Sequence, residues 1–473
     1  MNSGGPLQAS ATHGVRAVQE LQRALCSGVD ERLPRAILGV RLSESDDDRD
    51  IKEALRQLIL HTTVLNPFND TSEFRFGDVN ELYRLSREAD CTDHVVEVLN
   101  YLRLYQALAE LIRPLIADTN EVWFGHRALS NAVDEFIGAV ESLDDFDQTL
   151  MSTLLVLGKL HGLRDRAEAR RMFVRSKPGL DAYIGVFMGE LGARTYLDRS
   201  ALERNEVLIA ERRASLADSW CRYGQICPAD TRFLVLMSCD RRFFEIYFPY
   251  WLSVAEYLRP FGFAFHFIVT EPPKNASRLV NDAVGLRSAL GRFRGYPTSG
   301  FSRNISFSSV GAPVWCPRPR TFSACARFLY AREVMEQVEL PVFVQDMDFH
   351  LARDPRPWFG SLPTDKICLT SSRVAISIDP WQKFRGGAYG FPVLAEALTA
   401  ATWLEDYLLY GLGEEHSWFL DQNALGFLYE RVEGEGLAAN LLFSLDDLRP
   451  LLRPSAESAT HPLWEERHDH QRS

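Results

Sequence analysis

The chain has 473 residues, a formal net charge of −12, 46% hydrophobic residues and 25% charged residues. This composition is typical of a globular protein, and the length predicts two or three domains at about 100–200 residues each. The negative charge argues against nucleic acid as the main partner, because phosphate contacts need clustered Lys and Arg.

The sequence also predicts where the protein resides. Its first residues are small and polar and lack the basic and apolar segments of a secretory signal. No apolar run approaches the roughly 20 residues that cross a bilayer, so we expect no transmembrane segment. The eight cysteines include no C-x-x-C pair, which predicts buried thiols in a reducing cytoplasm.

Residues from about 50 to 225 show apolar side chains at helical spacing. The clearest stripe on one helix face comprises Val95, Val98, Leu99, Leu102, Tyr105, Leu108, Leu111 and Ile112. Further helices are predicted over 132–140 and 150–163, and Ser200–Glu203 fits a capping box that opens another. We therefore predict an all-α domain over 1–225, similar to helical-repeat arrays but without their regular period. Its first 45 residues or so are expected to be disordered.

The pattern changes after residue 225. Apolar runs at 233–237, 263–269 and 341–345 predict buried strands, and helical spacing returns at 244–258 and 324–338. Alternating strands and helices predict an α/β domain over 226–473 with a mainly parallel sheet, whose ligands bind at the carboxyl ends of the strands.

A long connection, residues 271–322, separates the second and third of these strands. It is rich in Gly, Pro, Ser and Arg and is expected to lack regular structure. Residues 271–330 hold nine Lys and Arg against two acidic residues. Two interpretations stay open: a solvated, disordered loop, or a surface that faces an anion or an acceptor.

The motif with the clearest chemistry follows the third strand. Asp346 and Asp348 are separated by one residue, so they point to the same side of the chain where the sheet opens to ligands. Two such carboxylates can hold a hard divalent cation and leave coordination positions for phosphate oxygens. The same pair also occurs in plain strand-end turns, so the surrounding motifs must decide.

Those motifs occur in a characteristic order. Ser238-Cys239-Asp240 ends the first strand, a helix bearing Arg327 precedes the D-x-D strand, and Gly386–Gly387 and then Asp421–Gln422 follow. Over about residues 230–430 this order resembles the GT-A glycosyltransferases, particularly glycogenin and related nucleotide-diphospho-sugar transferases. The resemblance implies a Rossmann-like GT-A domain that follows the helical one.

The resemblance also implies roles for individual residues. Asp346 and Asp348 would hold Mn²⁺ or Mg²⁺ against the donor diphosphate, and Arg327 would lie beside the phosphates or the sugar. The other implied donor contacts, taken from the nucleoside towards the sugar, are Ser238, Asp240, Gly386, Gly387, Asp421 and Gln422.

Each role has a plainer alternative. Arg327 could pair with a nearby carboxylate, Gly386–Gly387 could form a turn, and Asp421 could cap a helix. Trp418 and Trp381 could be core aromatic residues or platforms for sugar stacking.

Two features depart from the family pattern. The segment before Gly386 lacks the usual Asn-Ser. In many relatives a late histidine is the third metal ligand. Here its counterparts are His461, which precedes Pro462-Leu463-Trp464, and then His468 and His470. An imidazole from this segment could complete the coordination, or the histidines could belong to a frayed, solvated tail.

The resulting hypothesis is a metal-dependent transferase that moves a sugar from a nucleotide-diphosphate donor, with UDP-sugars favoured, to a protein or glycan acceptor recruited by the helical domain. The Asp-Gln motif favours retention of configuration. An inverting enzyme would need a base, for which Glu415 and Asp421 are candidates. Two alternatives remain: a helical adaptor fused to a degenerate, nucleotide-binding domain, and a haloacid-dehalogenase-like phosphohydrolase.

Overall fold

In a computed structural model the chain divides into two compact units. The first comprises residues up to Tyr196 together with Arg373–Gln382, and the second comprises Leu197–Ser372 and the chain from Lys383 onward. The boundary lies before the predicted division at 225. The structure describes residues 79–88, 93–117, 128–183, 186–217, 220–223, 226, 228, 230–271, 275, 278, 285, 303–351, 354, 356, 365–371, 378–393, 395–435, 442–444 and 452–454.

The described elements of the first unit are helices. They are α1 (Val79–Glu88), α2 (Asp93–Ala117), α3 (Val133–Glu141), α4 (Met151–His161), α5 (Arg166–Ala182) and the 3₁₀ helices Met188–Thr195 and Pro380–Gln382. The stripe that begins at Val95 lies on α2, as predicted. Helix α4 is buried along its whole length from Met151 to Leu160 because it packs against both α2 and α5.

The crossing of α4 and α5 depends on Gly158, and a matched pair of substitutions tests it. A Cβ at Gly158 would lie 2.5 Å from Cε1 of Phe173, whereas a Cβ at Gly138 on α3 would meet nothing within 4 Å. We expect Gly158→Ala to cost about 1–3 kcal/mol of unfolding free energy through overpacking. Gly138→Ala should be neutral or stabilising by up to about 1 kcal/mol. Urea unfolding measures both, and equal effects would contradict the packing argument.

Within its described residues, the second unit contains seven α-helices and ten strands. The helices are α6 (Arg199–Glu203), α7 (Glu206–Ala217), α8 (Arg241–Leu258), α9 (Pro319–Leu329), α10 (Ala331–Val338), α11 (Ala395–Gly411) and α12 (Leu420–Gly434). The strands are β1 (Trp220–Tyr223), β2 (Phe233–Asp240), β3 (Phe263–Thr270), β4 (Ile305–Val310), β5 (Val342–Gln345), β6 (Phe349–Leu351), β7 (Ile367–Ser371), β8 (Phe384–Phe391), β9 (Leu442–Ser444) and β10 (Leu452–Pro454).

The predicted capping box at Ser200 is wrong in register. The N-cap of α6 is Asp198, whose Oδ1 accepts a hydrogen bond from the amide of Ala201 at 3.1 Å. The Ser200 hydroxyl instead donates to Asp198 Oδ2 at 2.8 Å. Because the Asp198 carboxylate already satisfies a free amide of the first turn, the helix begins two residues earlier than it would with Ser200 as its N-cap.

Eight strands form one sheet in the order β1-β4-β3-β2-β5-β8-β7-β9. The four central strands β4, β3, β2 and β5 are parallel to one another, β8 is antiparallel to both β5 and β7, and β9 is parallel to β7. Strand β1 pairs antiparallel with β4, and β6 and β10 form a separate antiparallel pair. The expectation of an α/β unit with parallel central strands is therefore confirmed.

The chain order reverses between β2 and β5. From β2 the chain moves outward to β3 and β4, then crosses over to place β5 on the opposite side of β2. Alternate residues of β2 face different layers: Val235 and Met237 pack with α8, while Ser238 reaches α9. In doubly wound sheets the crevice for a ligand opens at such a reversal, beyond the carboxyl ends of the strands.

Strand β4 corrects the expectation that 271–322 lacks regular structure, as does α9, which begins within that range. Ser306 and Ser308 of β4 are buried, and their hydroxyls lie 2.7 and 2.8 Å from the two ring nitrogens of His266 on β3. The buried polar groups of the two strands thus satisfy one another.

None of the helices in the described part of the chain has the length and apolar composition needed to cross a bilayer. The described ranges contain four cysteines that are free and buried, as the sequence analysis predicts: Cys239, Cys316, Cys325 and Cys368.

Candidate functional site

The D-x-D motif forms a turn whose backbone is held by side-chain hydrogen bonds. Met347 is buried between the two aspartates, and its carbonyl accepts a hydrogen bond from Trp251 Nε1 of α8 at 2.8 Å. Gln345 Nε2 donates to the carbonyl of Phe349 at 3.2 Å, across the turn. The backbone of the motif is therefore held by the core.

Arg327 brings two of the predicted carboxylates together. Its Nη1 lies 2.7 Å from Asp346 Oδ1 and its Nη2 lies 3.6 Å from Asp421 Oδ2. The arginine side chain is only 1% exposed, whereas those of Asp346 and Asp421 keep 29% and 19% of their accessible surface. The guanidinium of Arg327 is thus buried, whereas the two carboxylates that it contacts remain partly exposed to solvent.

The environment of Asp346 disfavours its charged form. Burial raises the pKa of Asp346 to about 7, the negative charges of Asp348 and Asp421 add to the rise, and the guanidinium of Arg327 opposes it. We name Arg327, Asp346, Asp348 and Asp421 the acidic cluster. With three carboxyl groups and one guanidinium, the cluster has a surplus of negative charge when all groups are ionised, and it attracts a further cation.

Helix α9, which carries Arg327, is fixed to the carboxyl ends of β2 and β3 by hydroxyl groups. Ser238 Oγ donates to the carbonyl of Ser323 at 2.6 Å, and the hydroxyls of Thr270 and Ser323 are hydrogen-bonded to each other. Ser323 Oγ also donates to the carbonyl of Pro319 at 3.0 Å. Ser238 therefore orients the arginine helix, and its predicted contact with a nucleoside stays a prediction.

Asp240 ends β2 and begins α8. Its Oδ1 accepts a hydrogen bond from the amide of Phe243 at 2.8 Å, which makes Asp240 the N-cap of that helix. The side chain thus already serves the local structure at the edge of the crevice, and its nucleoside contact also stays a prediction.

Asp421 and Gln422 lie in the first turn of α12. Asp421 Oδ1 accepts from the amide of Gln422 at 2.9 Å, and Phe419, which precedes the helix, has a positive φ of 62°. Trp418 is 62% exposed, while Trp381 is fully buried. Of the two tryptophans, Trp418 alone presents its ring to solvent, so the stacking interpretation of Trp381 is wrong.

The other predicted residues lie outside the acidic cluster. Glu415 is exposed, and its carbonyl accepts from Arg318 Nε at 2.5 Å. Gly386 and Gly387 lie within β8, two residues and one residue before Ala388, which pairs with Gln345. His461 lies outside the described residues.

The acidic cluster offers the oxygen ligands that Mn²⁺ and Mg²⁺ take in proteins. Asp346 and Asp348 follow β5 directly and are the residues that would hold such an ion. Across the described ranges no group of three or more His, Cys, Asp or Glu side chains could hold a metal ion. The role of Asp346 and Asp348 as metal ligands therefore stays a prediction.

Sequence comparisons give no family for the chain: no protein-family model matches it, and neither does any curated protein. Among solved structures, the apo structure of WbbM, described as a bifunctional glycosyltransferase, is similar at 12% sequence identity and a TM-score of 0.28. The similarity covers 73% of this chain and 60% of WbbM, so the chain spans less than two thirds of that protein. A TM-score of this size carries no inference about function.

Proposed function

We propose that the second unit is a GT-A type glycosyltransferase that uses a nucleotide-diphosphate sugar, with UDP-sugars favoured. The observation that carries the proposal is the position of the acidic cluster beyond β5, next to the reversal between β2 and β5. This is the place where a doubly wound sheet binds its ligands, and the strand order with an antiparallel β8 is compatible with such a domain.

The chemistry of the cluster suits a diphosphate leaving group. A divalent cation held by Asp346 and Asp348 would supply charge neutralisation for the departing phosphates. Arg327 adds a permanent positive charge beneath them, and its burial strengthens that charge's field. Electrostatic stabilisation of the leaving group, together with positioning, is the main contribution we assign to the protein.

The sugar and the acceptor would bind towards α12. Asp421 is linked to Arg327 and can accept hydrogen bonds from sugar hydroxyls, while the exposed ring of Trp418 can stack on a sugar face. Retention of configuration needs no separate base, and we propose it here; Glu415, the candidate base of an inverting reaction, is exposed. The acceptor class, a protein or a glycan, stays part of the proposal.

One observation favours the alternative of a degenerate, nucleotide-binding domain. The carboxylate of Asp346 already has a cation, because Arg327 lies 2.7 Å from it. An arginine that permanently replaced the metal would leave nucleotide binding without catalysis.

Turnover separates the two candidates. We expect the full-length protein with Mn²⁺ to release nucleoside diphosphate from at least one member of a sugar-nucleotide panel. Asp346→Ala and Asp348→Ala should each lower the rate by about 10²–10³-fold, because transition-state charge loses its stabilisation.

Asp354→Ala is the matched control, since Asp354 follows the motif closely but pairs with Arg356. It should leave the rate unchanged. Nucleotide binding by calorimetry without turnover of any sugar nucleotide would support the degenerate domain and contradict the enzyme.

A further inference from the structure

The tryptophan loop, our name for residues 412–419, connects α11 to α12 and carries the exposed ring of Trp418. The neighbouring residues Ser417 and Leu420 are 2% and 1% exposed, so they anchor the chain on both sides of that ring. Phe419 has a φ of 62° and a ψ of 15°, a left-handed conformation that bulky residues keep only where the surrounding structure imposes it. The tryptophan loop thus presents a large aromatic ring to solvent on a backbone that is fixed.

Arg212 of α7 holds the start of the tryptophan loop. Its Nη1 donates hydrogen bonds to the carbonyls of Leu409 at 2.7 Å and Tyr410 at 2.8 Å. Both carbonyls belong to the last turn of α11, where a helix lacks intrahelical donors for its own carbonyl groups. The guanidinium also lies 4.8 Å from the ring centroid of Trp315, whose Nε1 donates to Ser215 Oγ at 2.9 Å. Arg212 is therefore held by two carbonyls and one indole ring.

Gly413 is the residue of the tryptophan loop that leaves room for the Arg212 side chain. A Cβ at Gly413 would lie 2.7 Å from Arg212 Cζ and nearer still to Nη2. An arginine tip in solvent could give way, but this one would have to leave its two carbonyl partners and the Trp315 ring. A larger residue at 413 therefore breaks the contacts by which α7 holds the end of α11.

Arg318 holds the middle of the tryptophan loop. Its Nε donates to the carbonyl of Glu415 at 2.5 Å, and its Nη2 lies 3.2 Å from His416 Nδ1. A guanidinium can only donate, so Nδ1 of His416 is the acceptor. Arg318 is the N-cap residue of α9, but its side chain makes no capping hydrogen bond. Its guanidinium thus serves the tryptophan loop and not the helix.

Helix α9 is linked to the α11–α12 region near both of its ends. Arg318, at its start, contacts the tryptophan loop, and Arg327, in its last turn, has Nη2 at 3.6 Å from Asp421 Oδ2 in the first turn of α12. The guanidinium of Arg327 also pairs with Asp346. The place of the Trp418 ring is thereby linked to the acidic cluster through residues of the second unit alone.

We infer that Arg212 and Arg318 are positioning residues that fix the tryptophan loop, and with it the ring of Trp418, just before Asp421. A ring that is fixed before binding loses little conformational freedom when a sugar stacks on it. The effect on a sugar rests on the proposed function, whereas the effect on the order of the tryptophan loop does not.

Two glycines of the second unit provide the first test. Gly413→Ala displaces Arg212, whereas a Cβ at Gly434, the last residue of α12, meets nothing within 4 Å. In hydrogen exchange of the full-length protein, we expect the amides of residues 413–420 in Gly413→Ala to exchange about tenfold faster, and those of β3 to keep their rates. Gly434→Ala should match the wild type. Unchanged exchange over 413–420, or equal acceleration in β3, would overturn the inference.

Two arginines at the start of α9 provide the second test. Arg318→Met removes the donors to Glu415 and His416 without removing a helix cap, so exchange in the tryptophan loop should again rise selectively. Arg320 lies in the first turn of α9 and is exposed, which makes Arg320→Met the matched control. It should keep wild-type exchange. A rise in both variants, or in neither, would show that Arg318 has no positioning role.

Kinetics separate a positioning role from a merely structural one. If sugar-nucleotide turnover is found, Gly413→Ala, Arg318→Met and Trp418→Ala should each raise KM for the donor with kcat within about twofold, because uniform binding is weakened. Gly413→Ala should add nothing to Trp418→Ala, since residues that act through one ring are not additive. Additive increases, or faster exchange with an unchanged KM, would contradict the inference. If the wild type turns over no donor, the exchange results still decide this inference while the proposed function fails.

Discussion

Replacement of Arg327 by Met is expected to destabilise the second unit by about 3 kcal/mol and to abolish turnover. Removal of one member of a buried ion pair costs about 3–5 kcal/mol when the remaining charge has no partner, and the partial exposure of Asp346 places this variant at the lower end. The methionine fills most of the volume of the arginine side chain, so the loss of stability reflects the missing charge. Urea unfolding and the release of nucleoside diphosphate are the two measurements.

The unfolding free energy that Arg327→Met loses relative to the wild type should become smaller as the pH falls. The pKa of Asp346 in the folded wild type is about 7, raised from 3.8, and loss of the guanidinium raises it further. Below this pKa the carboxyl group binds a proton, so less unpaired charge remains, and stability recovers on the acidic side. Unfolding at pH 8 and pH 6 in the presence of EDTA measures this. A deficit that grows on acidification would contradict it.

Arg332→Met is the matched control for this experiment. Arg332 lies on α10, is 39% exposed and pairs with Glu336 at 2.9 Å. A surface pair of this kind contributes about 0–1 kcal/mol, so the control should stay close to the wild type at both pH values.

Replacement of Lys159 by Met is expected to cost about 3–5 kcal/mol of unfolding free energy in the first unit, because Glu190 and Asp379 would both remain buried without their cation. Their side chains are 4% and 10% exposed, so water cannot replace the lysine. Thermal and urea unfolding measure the loss. Arg175→Met on the exposed face of α5 should change the stability by less than about 0.5 kcal/mol.

Neutralisation of Glu190 and Asp379 tests whether their unpaired charges cause the loss of stability in Lys159→Met. The triple variant Lys159→Met, Glu190→Gln and Asp379→Asn leaves no buried charge at this point, and we expect it to be more stable than Lys159→Met alone. Neutral groups of similar shape often replace a buried ion cluster at little cost. A triple variant less stable than the single one would show that packing, and not charge, dominates.

The sequence was sufficient to predict the strands that are apolar along their whole length. Strands β2, β3 and β5 are buried on both faces, so their residues form continuous apolar runs that are easy to recognise. Strand β4 was missed because Ser306, Ser308 and Ser309 give it the composition of a loop. Those serines are tolerated inside because His266 and backbone groups satisfy them, and such partners depend on register, which periodicity does not contain.

The candidate site could be predicted only at the level of its motifs. The resemblance indicated Arg327, Asp346 and Asp421 as separate contacts, and the structure places them in one ion-paired cluster. The capping role of Asp240 and the bond from Ser238 to the backbone of Ser323 are local and tertiary contacts that the motif order does not specify. A rule for N-caps, applied to the residue at the end of β2, would have indicated the first of them.

Residues 378–382 belong to the first unit although they lie between β7 and β8, and no signal in the sequence predicts this. Lys159 stands within a run of leucines and looks like a single polar residue on an apolar helix. Its partner Asp379 lies 220 positions later in the chain, and no periodicity links the two. The sequence allows Trp381 to be a sugar platform or a core residue, and only the glycine-lined space around its ring decides for the core.

The first unit is made of two stretches of chain that lie far apart in the sequence, and this has a consequence for biosynthesis. The helices that enclose Lys159 leave the ribosome well before Asp379 and Trp381 do, since the residues from Leu197 to Ile378 must be translated in between. At about 5–20 residues per second this interval lasts roughly 10–40 s. During it the nascent helical unit holds Lys159 with Glu190 but without its second carboxylate, so its packing cannot be completed until most of the sheet has been synthesised. The packing of the first unit can therefore be completed only after residues 378–382 have been synthesised.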